Sequence, residues 1–175
     1  MSLPPAHRIV FSQSKIREHV AVLANSIMRA DPRPTIAAPI LAGAFVFAAD
    51  ILRELAKHGL VLPVEFLWLR SYGDTREGAD NVSVLVPPTD RVNGAHVLVL
   101  DGVLDRGRTL LKARALLLDH GAASVTSAVA VDKRRKDGEA CADYAAFTDV
   151  DGFIIGYGMD DAGEDRSLPY IARID

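Results

Sequence analysis

Val97-Leu98-Val99-Leu100-Asp101-Gly102-Val103-Leu104-Asp105-Arg106-Gly107-Arg108-Thr109-Leu110 is the stretch on which the fold turns. Residues 96–100 are almost wholly apolar and rich in branched side chains, as a central parallel strand buried on both faces must be. Carboxylates follow, then a glycine-containing turn, then residues 109–120 with the apolar spacing of a helix, ended by Gly121. Such a turn aims free backbone N–H groups outward, and the helix behind it adds partial positive charge, so it can cradle a monophosphate. Thr109 offers a hydroxyl, Arg106 and Arg108 offer charge, and Gly107 keeps a side chain out of the ligand's way. An ordinary strand-to-helix turn with solvated arginines has the same pattern, so this segment alone leaves both readings open.

The alternation continues on either side. Ile16, Val20, Leu23 and Ile27 share one face and predict a helix over 14–28, ended by Asp31-Pro32-Arg33-Pro34. Residues 36–41 are a short apolar run, read as a buried strand, and Ala42-Gly43-Ala44 is the turn after it. A helix over 45–58 follows, with Phe47, Ile51, Leu52 and Leu55 spaced for burial and Gly59 as its cap. Further strands are expected over 63–69, 124–131 and 153–157, and the polar residues from 71 to 82 show no periodicity. Strands alternating with helices predict an α/β domain, a mainly parallel twisted sheet flanked by helices. Ligands of such sheets sit beyond the C-terminal ends of the strands.

A chain of 175 residues is long enough for one domain with a real core. Hydrophobic residues at 49% and charged residues at 25% exclude the disordered and fibrous classes. With 20 basic and 23 acidic residues the formal net charge is -3, which disfavours a nucleic-acid partner and leaves Lys133-Arg134-Arg135-Lys136 as the one basic run. The single cysteine, Cys141, excludes an intramolecular disulfide and a multi-cysteine zinc site and fits a reducing compartment. No apolar run approaches the ~18 residues of a membrane span, and the N-terminus does not read as a signal peptide. A cytoplasmic protein with no membrane partner is expected.

The 97–110 segment resembles the phosphoribosyl pyrophosphate (PRPP) motif of type I phosphoribosyltransferases, and four other segments in the same order are similar to the hypoxanthine(-guanine) branch of that family. Residues 41–50 look like its pyrophosphate-binding loop and following helix, and Ser71-Tyr72 opens the stretch where the family has a catalytic lid. Val131-Asp132-Lys133 looks like the strand end that carries the base-recognising lysine. Residues 153–160, with 166–171, look like the base-stacking strand and the C-terminal hood.

The resemblance implies a single domain over 1–175, with a core at about 14–150 and a hood from about 1–13 and 151–175. It implies transfer of 5-phosphoribosyl from PRPP to a 6-oxopurine (hypoxanthine, guanine or xanthine), giving the purine nucleotide and pyrophosphate, with Mg²⁺ as cofactor and a homodimer or homotetramer as the assembly. Asp105 then accepts the purine N7 proton and Tyr72 covers the reacting carbon. Asp101, Asp105, Arg106, Gly107, Arg108 and Thr109 hold the ribose and 5′-phosphate. Ala42, Gly43, Ser71 and Arg166 hold pyrophosphate, with a non-proline cis peptide just before Gly43 in many members. Lys133 donates to the 6-oxo group, because an ammonium has donors only. Phe153 stacks on the ring, Ile154 offers its backbone to the purine edge, and Asp160 lies near it. Asp101 and Asp160 are the Mg²⁺ ligands. Residues 71–80 form the lid.

Three departures bear on activity. The family's pair of acids reads Asp101-Gly102 here, Arg106 stands for a small residue, and Ala42 stands where lysine is frequent. On this reading an acid restored at 102 tightens PRPP binding. The competing reading is a degenerate relative that binds nucleotide as a regulator, or a silent partner in an oligomer.

Overall fold

The computed structural model describes residues 7–71 and 82–174. In chain order the elements are β1 (His7–Phe11), α1 (Gln13–Ile27), β2 (Ile36–Leu41), α2 (Phe45–Lys57), β3 (Leu67–Ser71), β4 (Val82–Val86), β5 (His96–Leu104), α3 (Arg108–Asp119), β6 (Ser124–Asp132), β7 (Tyr144–Thr148), β8 (Phe153–Ile155) and β9 (Ile171–Ile174). Six strands make one sheet in the order β4-β3-β2-β5-β6-β7. It is parallel except for β4, which runs antiparallel to β3. β1, β9 and β8 make a separate antiparallel sheet that joins the two ends of the chain.

Side chains of β5 alternate between two cores, which is why the strand is apolar throughout. Leu98 and Leu100 pack with Phe47, Ile51 and Leu55 of α2 and with Ile16, Val20 and Leu23 of α1. Val97 and Val99 pack with Leu110, Ala113 and Leu117 of α3 on the other face. The helices therefore flank the sheet as the alternation predicts. Ser12 Oγ accepts from the Lys15 N–H at 3.3 Å and caps α1, whose first residue, Gln13, is one ahead of the expected start.

Three expectations need correction. The strand expected over 63–69 pairs regularly only as Leu67–Ser71, with Val64 making an isolated bridge to Ala37. Pro63 has no N–H for a ladder, and the Glu65 side chain is buried, accepting from the Thr89 N–H at 2.8 Å. The strand expected to stop at Leu100 runs on to Leu104, so Asp101 and Gly102 lie inside β5, paired with β6, rather than in a loop beyond it. The strand expected over 153–157 ends at Ile155, because Gly156 (φ 86°) and Tyr157 (φ 52°) turn the chain. Strands β1, β4, β7 and β9 have no counterpart in the sequence reading. The proposed lid over 71–80 lies outside the described residues, apart from the Ser71 backbone at the end of β3, and Tyr72 lies outside them altogether. No described helix is long and apolar enough to cross a membrane.

Candidate active site

The C-terminal ends of β2, β5 and β6 meet the start of β8 around a cavity of about 170 Å³. Its lining is Gly43, Asp101, Val103, Asp105, Lys133, Phe153, Ile154, Met159 and Asp160. All but Val103 and Met159 are residues singled out from the sequence, although they come from four separate segments. Phe153 begins β8 and is 51% exposed, so its ring is free to take a partner. Ile154 is buried and pairs with Arg173.

Lys133 is aimed by its neighbours. Its N–H donates to the Leu104 carbonyl at 3.0 Å, which pins the end of β6 to the end of β5. Buried Asp132 accepts from the backbone N–H groups of Arg134 (2.9 Å) and Ala142 (3.2 Å), and so shapes the turn in which Arg134 takes φ 48°. The Lys133 side chain is 10% exposed, and its Nζ lies 2.8 Å from Asp105 Oδ2. An acceptor and a donor thus stand side by side on one wall, the complement of a ring edge that carries an N–H next to a carbonyl.

On the opposite wall the backbone is packed as closely as it can be. A Cβ on Gly102 would lie 2.6 Å from the Gly43 carbonyl oxygen and 3.4 Å from Met159 Cγ. A Cβ on Gly158, where φ is 100°, would meet the same oxygen at 2.6 Å. The Gly43 carbonyl is gripped between two chains that must both lack side chains. This overturns the expectation that an acid at 102 would help PRPP binding: nothing larger than glycine fits there unless the 42–44 turn moves. The peptide joining Leu41 to Ala42 is cis, and Ala42 is exposed. Tyr157 ties this wall to α2 by donating its hydroxyl to Asp50 Oδ2 at 2.9 Å.

Beyond Asp105 the phosphate-type loop leans on the segment after Lys133. Gly107 (φ 90°) opens α3, but the space beside it belongs to Ala140, whose Cβ would be 2.8 Å from an added one. Its lack of a side chain therefore serves packing as well as the positive φ, a correction to the purely ligand-facing reason read from sequence. Glu139 donates its N–H to the Arg106 carbonyl at 2.7 Å and accepts from Arg108 Nε at 2.7 Å. Arg106 Nε lies 3.6 Å from Asp137 Oδ2. Thr109 is half-buried in the first turn of α3. None of residues 106–109 lines the cavity, so they form a separate shelf next to it.

Arg166 is fastened to the hood strand end. Its guanidinium donates to the Gly158 carbonyl at 2.8 Å and sits 2.7 Å from Asp160 Oδ1, while Asp160 Oδ2 accepts from the Gly163 N–H at 2.7 Å. Asp101 is the contrasting acid. Burial pushes its carboxyl up to about 7, and the N–H of Gly102, 2.7 Å from Oδ1, offsets this only in part. A desolvated carboxylate facing no cation among the described residues is suited to receive one. No group of three or more His, Cys, Asp or Glu side chains is set to hold a metal among the described residues. Mg²⁺ does not need one, since it is usually held by one or two carboxylates, water and substrate phosphates. Asp101 and Asp160, both lining the cavity, fit that pattern.

Sequence reasoning missed Arg135, Asp137 and Glu139, which connect the base wall to the phosphate shelf. Their only signal was the pair of acids, Asp137 and Glu139, that follows directly on the run Lys133-Arg134-Arg135-Lys136, which reads as a solvated basic turn.

Residues 10–162 match the family model of the phosphoribosyl transferase domain. The chain is 29% identical over 174 residues to a hypoxanthine-guanine phosphoribosyltransferase of Dictyostelium discoideum, covering 97% of this chain and 96% of that protein. It is 33% identical over 136 residues to a hypoxanthine phosphoribosyltransferase of Haemophilus influenzae, covering 77% and 74%. Among solved structures, a Trypanosoma cruzi hypoxanthine phosphoribosyl transferase superposes with a TM-score of 0.88 at 25% identity, covering 100% of this chain and 94% of that one. A Bacillus anthracis hypoxanthine-guanine phosphoribosyltransferase gives 0.82 at 29% identity, covering 99% and 100%. With a family model spanning most of its length and relatives of this kind in both comparisons, the chain belongs to the phosphoribosyl transferase family, in its hypoxanthine(-guanine) branch.

Proposed function

We propose that this protein transfers the 5-phosphoribosyl group of PRPP to a 6-oxopurine, releasing pyrophosphate. The observation that carries the reading is the Asp105–Lys133 pair at 2.8 Å on a cavity wall with Phe153 beside it. The 7-H form of a 6-oxopurine offers an N–H and a carbonyl on adjacent positions. It replaces the ion pair with two hydrogen bonds, N7–H to Asp105 and Lys133 to O6. Phe153 stacks on the ring. As N9 bonds to the ribose carbon, Asp105 takes the N7 proton.

The remaining roles follow from position or, for Ser71 and Tyr72, from the family resemblance alone. The shelf of Arg106, Gly107, Arg108 and Thr109 takes the 5′-phosphate, at the N-terminus of α3. Asp101, inside β5, takes the ribose hydroxyls. Ala42 and Gly43, with Ser71 and Arg166, hold the pyrophosphate, and Tyr72 covers the reacting carbon. Asp101 and Asp160, with the substrate's oxygens, would hold Mg²⁺, which when bound would supply charge neutralisation at the leaving pyrophosphate. The small sheet of β1, β9 and β8 serves as the hood of a single domain, since it brings Phe153 and Ile154 over the main sheet's edge. The assembly is a homodimer or homotetramer. PRPP is too highly charged to cross a membrane unaided, which supports a cytoplasmic location for the reaction.

The test is an assay of purified protein with PRPP, Mg²⁺ and, in turn, hypoxanthine, guanine, xanthine and adenine. Nucleotide is expected from the 6-oxopurines and not from adenine, whose amino group cannot accept from Lys133. Absence of turnover with every base, together with absence of PRPP binding, would replace this reading with that of a nucleotide-binding relative.

A further inference from the structure

Five charged side chains of alternating sign run from the base wall to the phosphate shelf. Lys133 Nζ is 2.8 Å from Asp105 Oδ2, and Arg135 Nε is 3.2 Å from Asp105 Oδ1, so both oxygens of Asp105 are occupied by cations. The same Arg135 Nε is 2.9 Å from Asp137 Oδ1, and Arg135 Nη2 reaches Asp137 Oδ2 at 3.1 Å. That second oxygen of Asp137 also faces Arg106 Nε at 3.6 Å. One N–H of Arg135 is therefore shared between two carboxylates, and one carboxylate, Asp137, is shared between two guanidinium groups.

A shared donor cannot serve both acceptors at full strength. Whatever removes a claim on Asp137 lets that carboxylate draw Arg135 toward itself and away from Asp105. A phosphate dianion on the shelf does this, because it outcompetes a single carboxylate for Arg106. Asp105 Oδ1 is then released to accept a hydrogen bond from an incoming ring N–H. We propose that Arg135 is a positioning residue that couples the two halves of the site: phosphate on the shelf draws Arg135 off Asp105, and so tightens binding of the purine base. The inference rests on the phosphoribosyltransferase reading for the identity of the two ligands. It concerns Arg106, Arg135 and Asp137 of this chain, the first of which departs from the small residue expected at its position. The groups involved are partly exposed, each side chain except that of Lys133 being more than a third accessible, so each pair is weak alone and the rearrangement is easy.

The experiment is calorimetric titration of hypoxanthine into the full chain, with and without saturating ribose 5-phosphate. This sugar phosphate carries no pyrophosphate, so no transfer can occur. The dissociation constant of hypoxanthine should fall about fivefold when ribose 5-phosphate is present, the low end for coupled sites. In Arg135→Gln and in Asp137→Asn that factor should drop to about one, while each ligand still binds by itself. Asp137 sits on an exposed turn, so Asp137→Asn carries the test if Arg135→Gln lowers the melting temperature. Coupling that persists in a folded variant, or that is missing from the parent although both ligands bind, overturns the role of Arg135 and leaves the proposed function standing. If the parent binds neither ligand and gives no turnover of PRPP with hypoxanthine, the proposed function falls, and this inference with it.

Discussion

The two walls of the cavity are built on opposite principles. On one, the Gly43 carbonyl is wedged against Gly102 and Gly158, with 2.6 Å to where either Cβ would be. There is no charge in that contact and no freedom. On the other, Lys133 and Asp105 are joined by Arg135, Asp137 and Arg106 behind them, outside the cavity lining, through ion pairs between groups that, Lys133 apart, are partly accessible. Backbone wedged in a buried place tolerates no change of volume. Exposed charges tolerate change well but respond to ligands and salt. The packed wall fixes where the reacting groups must lie, and the charged wall does the recognising. Substitutions on the first should therefore register in stability, and those on the second in binding and turnover.

The sharpest test of that division is Asp105→Asn. The amide cannot take the N7 proton, so turnover with PRPP and hypoxanthine should fall by about 100- to 10,000-fold. The melting temperature should stay close to that of the parent, because the group lost is accessible. A large drop in melting temperature would show that the charged wall also holds the fold together, and the contrast would be gone.

Asp101 tests the boundary between the walls, since it is a charged group placed in packed surroundings. Burial holds its carboxyl at about 7, against 3.8 in the open chain. Between those values the folded protein binds a proton that the unfolded chain has released, so stability falls as pH rises from about 4 to about 7. Three units at 1.36 kcal/mol each set an upper bound of about 4 kcal/mol on the loss. Asp101→Asn keeps the acceptor for the Gly102 N–H and removes the titration. Urea unfolding at pH 5 and pH 8 should show the parent losing a few kcal/mol relative to the variant. Parallel curves would mean that Asp101 is better solvated than its place in β5 implies.

How much of this was legible beforehand follows the same division. Period and composition were enough for α1, β2, α2, β5, α3 and β6, because a strand buried on both faces and a helix buried on one leave plain patterns. Seven of the nine cavity residues were found because they lie in family-like segments, Phe153 among them despite its place in a second sheet. The short strands β7 and β9 left no such mark, since Tyr144-Ala145-Ala146-Phe147-Thr148 and Ile171-Ala172-Arg173-Ile174 are too brief for a period to emerge. The Gly43–Gly102 contact was invisible because it is made by two residues without side chains from distant segments. Gly102 looked like a missing acid rather than a required absence of bulk. Arg135 and Asp137 were hidden for a different reason: a run of charges carries no sign of which members face a site.

Gly102→Asp puts that misreading to the test directly. By family pattern it restores an acid, and by geometry it drives a side chain into the Gly43 carbonyl. Stability should fall by about 1–3 kcal/mol, as for other overpacked sites, and PRPP binding should weaken as the 42–44 turn is displaced. Tighter PRPP binding with unchanged stability would mean the turn can yield, and the packed wall is softer than it looks.

The smallest effect belongs to Glu139→Gln, which removes the partner of Arg108 Nε on the phosphate shelf. Both side chains are more than two-fifths exposed, so the pair contributes at most about 1 kcal/mol at low salt. At about 1 M salt the screening length shrinks to about 3 Å, and the difference from the parent should nearly vanish. The Gly102→Asp loss, being steric, should persist at the same salt. Measuring both variants by urea unfolding in dilute buffer and in 1 M salt turns the comparison into two numbers, one that salt removes and one that it does not. If the Glu139→Gln loss survives high salt, the contact with Arg108 acts as a hydrogen bond that salt does not screen, and this end of the charged wall behaves like the packed one.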